Sequence, residues 1–88
     1  MTKYKLVIKN SAKSDLKKIK HSNLKKQFEA IIDVLKKDPY YPNQSFEKLQ
    51  PKQAGRYSRR INQQHRVVYT VDEVEKTVQI YSAWSHYE

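Results

Sequence analysis

Between Lys3 and Ile8 the side chains alternate, with Tyr4, Leu6 and Ile8 set against Lys5 and Lys9 and Val7 as an additional apolar residue. A period of two predicts a strand with one buried face. Asn10 or Ser11 is the expected cap for the helix that follows, because a side-chain oxygen there accepts from the orphan amides of a first turn. Ala12, Leu16 and Ile19 then fall at i, i+4 and i+7, the stripe of a short amphipathic helix, with Lys13, Lys17, Lys18 and Lys20 on its wet side. His21-Ser22-Asn23 interrupts the pattern and offers a second cap. Leu24, Phe28, Ile31, Ile32 and Leu35 mark a longer helical stripe, which Pro39 should end by pushing Asp38 out of the α region.

Tyr40–Gln53 is polar and reads mainly as an irregular connection. Three strand signals follow: Arg56–Ile61 after the lone Gly55, Arg66–Val71, and Thr77–Trp84. Asn62-Gln63-Gln64 and Asp72–Lys76 are short enough to close hairpins. The order strand-helix-helix-strand-strand-strand predicts an α+β domain over 1–88, with a helical hairpin packed on one face of a small, mainly antiparallel sheet. If Val67, Tyr69 and Val71 face the helices, Arg66, Val68 and Thr70 face away, and Ile61 in the core turns Ser58 and Arg60 outward. The last strand is ambiguous, since Val78/Ile80 and Tyr81/Ala83 compete for the core side.

Charge gives this open face a purpose. Eighteen Lys+Arg against nine Asp+Glu leave a formal charge of +9 on 88 residues. Self-repulsion on that scale is offset by an anionic partner, either nucleic acid or an acidic protein. The chain has no cysteine, which removes disulfides and thiolate metal sites and fits a reducing cytoplasm. Lysines break up the first ten residues where a signal peptide would be apolar, and no run approaches a membrane span. The three histidines show no metal-ligand spacing.

The chemistry-bearing residues cluster in Gly55-Arg56-Tyr57-Ser58-Arg59-Arg60-Ile61 and His65-Arg66-Val67-Val68-Tyr69, and the chain ends Trp84-Ser85-His86-Tyr87-Glu88. Arginines on neighbouring strands offer planar forks to phosphate oxygens. A histidine so near the terminus has little packing role, and imidazole, titrating near ~6.5, suits proton donation. His21 and His65 are read as structural.

With Glu47-Lys48-Leu49 added, these motifs in this order and spacing resemble the YoeB/Txe branch of the RelE-like toxins, over about residues 36–88. The resemblance implies a fold like that of the microbial ribonucleases and a ribosome-dependent endoribonuclease that cuts mRNA in the A site without a metal or cofactor. It assigns Glu47 as general base, Arg66 as the phosphate-stabilising arginine, His86 as general acid and Tyr87 as an orienting group. Arg60 supports them, with Arg59, Lys48, Lys52 and Trp84 as further substrate-binding candidates. Arg59 has a second reading, its stem tucked under Tyr57. The family pattern has a basic residue at the position of Trp84 and a lysine at that of Gln50. Lys48 or Lys52 is the expected stand-in for the missing lysine, and Trp84 a ring to stack on a base.

The implied partners are an acidic antitoxin of the YefM/Axe type, the ribosome and its mRNA, promoter DNA through the antitoxin complex, and a second copy as a homodimer; no membrane is involved. Two other readings use the same scaffold: a non-enzymatic ParE-type toxin acting on DNA gyrase, and a catalytically silent RNA- or ribosome-binding module.

Overall fold

The computed structural model describes residues 3–84. Its first strand, β1 (Lys5–Ile8), turns Leu6 and Ile8 inward and leaves Val7 exposed, as the alternation requires. Two helices follow, α1 (Asn10–Lys20) and α2 (Lys25–Lys37), and they bury Ala12, Ile19, Ile31 and Leu35. α2 stops where Asp38 adopts an extended conformation (φ −157°, ψ 94°) ahead of Pro39, the boundary that proline sterics dictate.

The helix starts differ from the expectation. Neither Asn10 nor Ser11 caps α1: Lys9 holds the N-cap position without a side-chain bond, and Ser11 Oγ donates instead to the carbonyl of Tyr81, 2.7 Å away. Ser22 seals the turn between the helices, its hydroxyl donating to Ile19 O at 2.9 Å and accepting from the Leu24 amide at 3.1 Å.

The second half builds the sheet from β2 (Glu47–Lys48), β3 (Arg56–Arg60), β4 (Arg66–Asp72) and β5 (Thr77–Ser82). Spatial order is β1-β5-β4-β3-β2; β1 runs parallel to β5 and every other pair is antiparallel. β2 lies inside the segment expected to be irregular. Two residues carry no detectable periodicity, so this edge strand is defined by its partners: Glu47 opposite Ser58 and Lys48 opposite Tyr57. A 3-10 turn (Lys52–Ala54) leads into β3 through Gly55. Gly55 has φ +66°, a left-handed conformation that a side chain disfavours, although a Cβ there would meet no neighbour.

The ambiguity in β5 is resolved by a bulge. Tyr69 pairs with Ile80 and the adjacent Val68 pairs with Ser82, so Tyr81 is the extra residue. The bulge shifts parity along the strand. Val78 and Ile80 point into the core before it, and Ala83 does so after it.

The helices cover the β1–β5–β4 side of the sheet, and the segment after α2 covers the rest of that face. Phe46 stacks on Tyr57 at 5.5 Å between ring centroids, Tyr40 meets the same ring edge-on at 5.5 Å, and Tyr57 stacks on Tyr69 at 5.8 Å. Arg59 locks this layer. Its Nε donates to Tyr69 Oη (3.0 Å), Nη1 to Asn43 O and Oδ1 (3.0 and 2.8 Å) and Nη2 to Pro39 O (2.9 Å), while the Phe46 ring lies 4.8 Å from the guanidinium carbon. Burial pushes the Tyr69 hydroxyl up to about 12, against a smaller opposing effect of the Arg59 charge.

On the helix side, where β4 turns into β5, Glu73 accepts hydrogen bonds from Lys76, Tyr40 and Tyr4. These bonds, led by Lys76, hold its carboxyl below the usual glutamate range. No helix among the described residues is long and apolar enough to cross a membrane.

Candidate active site on the open sheet face

Strand parity decides which residues share the face turned away from the helices. Val67 and Tyr69 are fully enclosed, so Arg66, Val68 and Thr70 point to the other side, as the sequence pattern implies. Antiparallel partners point the same way, which puts Glu47, Ser58, Val68 and Ser82 in one row across four strands. Arg60 and Arg66 form the neighbouring cross-strand pair on that face, and Arg56, Thr70 and Gln79 form the row on the opposite side of Ser58.

Sheet spacings convert this register into distance. Glu47 and Arg66 are two strands and two residues apart, or about 12 Å between Cα atoms at ~4.8 Å per strand and ~3.4 Å per residue. Both side chains are long enough to approach one phosphodiester between them. Arg60 is the direct neighbour of Arg66 and a diagonal neighbour of Glu47.

Two arginines placed directly opposite repel one another, which costs a sheet stability unless an anion sits between them. Among the described residues an ion pair joins Lys76 to Glu73, and no described carboxylate is ion-paired to Arg60 or Arg66. Arg60 is exposed and donates from Nη1 to Gln63 O at 3.0 Å, which steadies its guanidinium at the rim; Arg66 is half-buried. Glu47 is exposed at the sheet edge, where backbone bonds from Arg60 N to Gln44 O and from Leu49 N to Arg56 O, both 2.8 Å, hold its strand in register. The face thus presents one acid and two cations in neighbouring cross-strand positions.

Other candidates are placed elsewhere. Arg59 is a correction: at 0 % exposure, with its guanidinium nitrogens bonded inside the fold, it has no surface to offer a substrate. Parity required this, since Arg59 shares a face with Tyr57 and Ile61; the side chain is tucked inside as the second reading expects, but the ring over its guanidinium is Phe46. Lys48 is also on the helix side of the sheet, its Nζ 5.6 Å from the centre of the Tyr57 ring, and so does not join Glu47. Lys52 is exposed in the 3-10 turn. The Trp84 ring stacks on His65 at 4.1 Å, so one of its faces is taken by protein. His65, read from the sequence as structural, is buried. His86 and Tyr87 lie outside the described residues.

The sequence assigned no individual role to Arg56 or Tyr81, which meet on the open face with the guanidinium carbon 5.8 Å from the ring centre. The bulge that puts Tyr81 there leaves no trace in composition. Asp15 was also missed, although an acid three residues after Ala12 and four before Ile19, inside an apolar stripe, was a visible signal. Among the described residues no group of three or more His, Cys, Asp or Glu side chains is arranged to hold a metal ion.

Comparison with known proteins agrees with this architecture. Residues 9–87 match the family model of the YoeB-like toxin of bacterial type II toxin–antitoxin systems. Among solved structures, the YoeB/ParE toxin from Agrobacterium tumefaciens is 27% identical, with 94% of this chain and 99% of that one covered and a TM-score of 0.83. The toxin in the YoeB–YefM complex from Staphylococcus aureus is 29% identical (98% and 100% covered, TM-score 0.80), and the YoeB dimer from the same organism is 28% identical (98% and 100%, TM-score 0.81). The archaeal RelE–RelB complex from Pyrococcus horikoshii, at 22% identity and a TM-score of 0.76, shares the fold. A search of curated protein sequences gave no match. With its family model matched over nearly the whole length, the chain belongs to the YoeB-like toxins of bacterial type II toxin–antitoxin systems.

Proposed function

We propose that this toxin is an endoribonuclease that cuts mRNA in the ribosomal A site. The observation that supports it best is the cross-strand pair Arg60/Arg66 beside Glu47 on one open face, neither arginine being ion-paired to a carboxylate among the described residues. A phosphodiester supplies the missing anion, and RNA brings its own nucleophile, the 2′-hydroxyl. In this reading Glu47 takes the 2′-proton as the oxygen attacks the adjacent phosphorus. Arg66, supported by Arg60, stabilises the charge that accumulates on the phosphoryl oxygens. His86 protonates the departing 5′-oxygen and Tyr87 orients the reacting groups. The products are a 2′,3′-cyclic phosphate, or the 3′-phosphate formed from it, and a 5′-hydroxyl. Because the nucleophile is internal to the substrate, no step calls for a metal or cofactor.

General acid and base groups each contribute ~10²–10⁴-fold, so much of the remaining acceleration comes from holding the RNA in line. The ribosome supplies that alignment, and the charge of +9 supplies the attraction to it. The same charge suits an acidic antitoxin that folds across the toxin, as the existence of a YoeB–YefM complex in Staphylococcus aureus suggests, and the site of action is the cytoplasm. The Staphylococcus aureus YoeB dimer makes self-association a further property to measure. Expression of Glu47→Ala, Arg66→Ala and His86→Ala tests the mechanism. All three are expected to fold and to lose toxicity, and full toxicity in all three refutes it. Loss of DNA supercoiling with intact transcripts would move the target to gyrase.

A further inference from the structure

The bulge in β5 sets an aromatic side chain on the open face. Packing asks only for an extra residue there, because the core needs the change of parity that turns Val78, Ile80 and Ala83 all inward. The extra residue is nevertheless a tyrosine, half-buried, with two cations within reach of its ring. The Arg56 guanidinium carbon, from β3 and two strands away, lies 5.8 Å from the ring centre; Lys9 Nζ, from the residue between β1 and α1, lies 5.9 Å from it. Both sit near the outer limit of a cation–π contact, where the gain in stability is small. Neither cation is ion-paired to a described carboxylate.

Beside the ring an amide is held in one orientation. Gln79 Oε1 accepts from Thr70 Oγ1 at 3.1 Å and from Tyr81 Oη at 3.4 Å. Its Nε2 is the end left to donate, and among the described residues no acceptor meets it. A ring, two cations and an amide donor are the complement of one unpaired nucleotide: a base for the ring, a phosphate for the cations and a base oxygen or ring nitrogen for the amide. Register puts this group next to the proposed cleavage site. Arg56 is two residues from Ser58 on the side opposite Arg60, which makes it a diagonal neighbour of Glu47. Arg56 and Arg60 are about 14 Å apart along β3, at ~3.4 Å per residue. An RNA strand held by one phosphodiester at Arg60 and Arg66 crosses the row of Glu47, Ser58, Val68 and Ser82 on its way to Tyr81.

We propose that Tyr81, Arg56 and Lys9 form a base-stacking subsite for an unpaired RNA nucleotide flanking the bond that is cut. The inference rests on the ribonuclease reading of this face. Tyr81 supplies the stack, Arg56 and Lys9 meet the phosphate, and Gln79 contacts the edge of the base, which makes the subsite a source of sequence preference.

Binding measured apart from cleavage tests it. The native toxin, Tyr81→Ala, Tyr81→Phe and Arg56→Ala are titrated by fluorescence anisotropy against a short labelled single-stranded RNA. Its riboses are 2′-O-methylated, so the nucleophile is blocked and nothing is cut. Stacking on an aromatic ring is worth about 5–100-fold in affinity per base, so Tyr81→Ala is expected to weaken binding within that range, while Tyr81→Phe keeps the ring and most of the affinity. Tyr81→Ala changes no charge and leaves the salt dependence as it was, whereas Arg56→Ala lowers the slope of log affinity against log salt by ~0.7. An abasic nucleotide is then walked along the RNA. At one position, losing the base and losing the ring are expected to cost no more together than either alone. Equal affinity of the native toxin and Tyr81→Ala, or a loss that persists at every abasic position, would overturn the subsite while leaving the ribonuclease reading intact. Ribosome-bound mRNA left whole by the native toxin would instead sink that reading, and with it the placement of the subsite beside a scissile bond. Should Tyr81→Ala fail to fold by circular dichroism, Tyr81→Leu fills the bulge without a ring and must show the same loss and the same abasic position.

Discussion

Arg59 and Arg60 are adjacent in the chain and opposite in environment, and truncating each to alanine separates structure from function. Arg59 is enclosed, with four hydrogen bonds to Tyr69, Asn43 and Pro39 and a ring over its guanidinium. Arg59→Ala removes buried methylenes worth ~0.8 kcal/mol each. It also strips the Asn43 carbonyl and the Tyr69 oxygen of a donor, at about 1–3 kcal/mol for each buried group left unsatisfied. Pro39 O loses less, because the Tyr69 hydroxyl still donates to it. Relief from burying a cation offsets part of this, leaving a net destabilisation of about 3 kcal/mol. That is a large fraction of the stability of so small a domain. Arg60→Ala breaks one exposed bond, to Gln63 O, and is expected to shift stability by no more than about 0.5 kcal/mol while weakening RNA binding. Urea unfolding followed by far-ultraviolet circular dichroism measures both. An Arg59→Ala midpoint equal to the native one, with RNA binding lost, would show that Arg59 is a surface ligand and that its buried network is wrong.

Two further outcomes follow from the same packing. Tyr69→Phe leaves Arg59 Nε without its acceptor and is expected to cost about 1–3 kcal/mol at neutral pH. The native tyrosine is pushed up to about 12 from 10.0, so its contribution is complete below pH 10 and fades between pH 10 and 12; urea titrations across that window should show the gap to Tyr69→Phe closing, and a gap constant with pH would count against the burial. Gly55→Ala forces a side chain into φ +66° and is expected to lower stability by about 1 kcal/mol through backbone strain alone, since no neighbour is met; a thermal midpoint unchanged by the substitution would contradict this.

The long periodic elements were readable because burial imposes a period. Leu24 to Leu35 repeats at helical spacing, and Val67, Tyr69 and Val71 alternate at strand spacing, so both helices, three long strands and the open face with Arg66 follow from the chain. The same parity, taken one strand further, places Arg59 with Tyr57 and Ile61 inside, although its charge argued for the surface. The rest depends on partners distant in sequence. β2 is two residues long and is defined by Ser58 and Tyr57. The bulge at Tyr81 reconciles two inward-facing sets that no regular strand satisfies together. Ser11 looked like a cap and instead serves the sheet, which requires knowing that α1 crosses the end of β5. For the proposed site, Glu47 and Arg66 were named through a resemblance to a family, and the register supplies the physical reason that they share a face with Arg60.

The central claim is tested most directly by primer extension on mRNA bound to purified ribosomes, with the native toxin or its His86→Ala variant and no divalent metal beyond what ribosomes need. The expected result is a discrete cut in the A-site codon that appears with the native chain, leaves a 5′-hydroxyl end and disappears with the variant. Intact mRNA with the folded native toxin would contradict the account, and a cut of equal strength with both proteins would remove His86 from the mechanism.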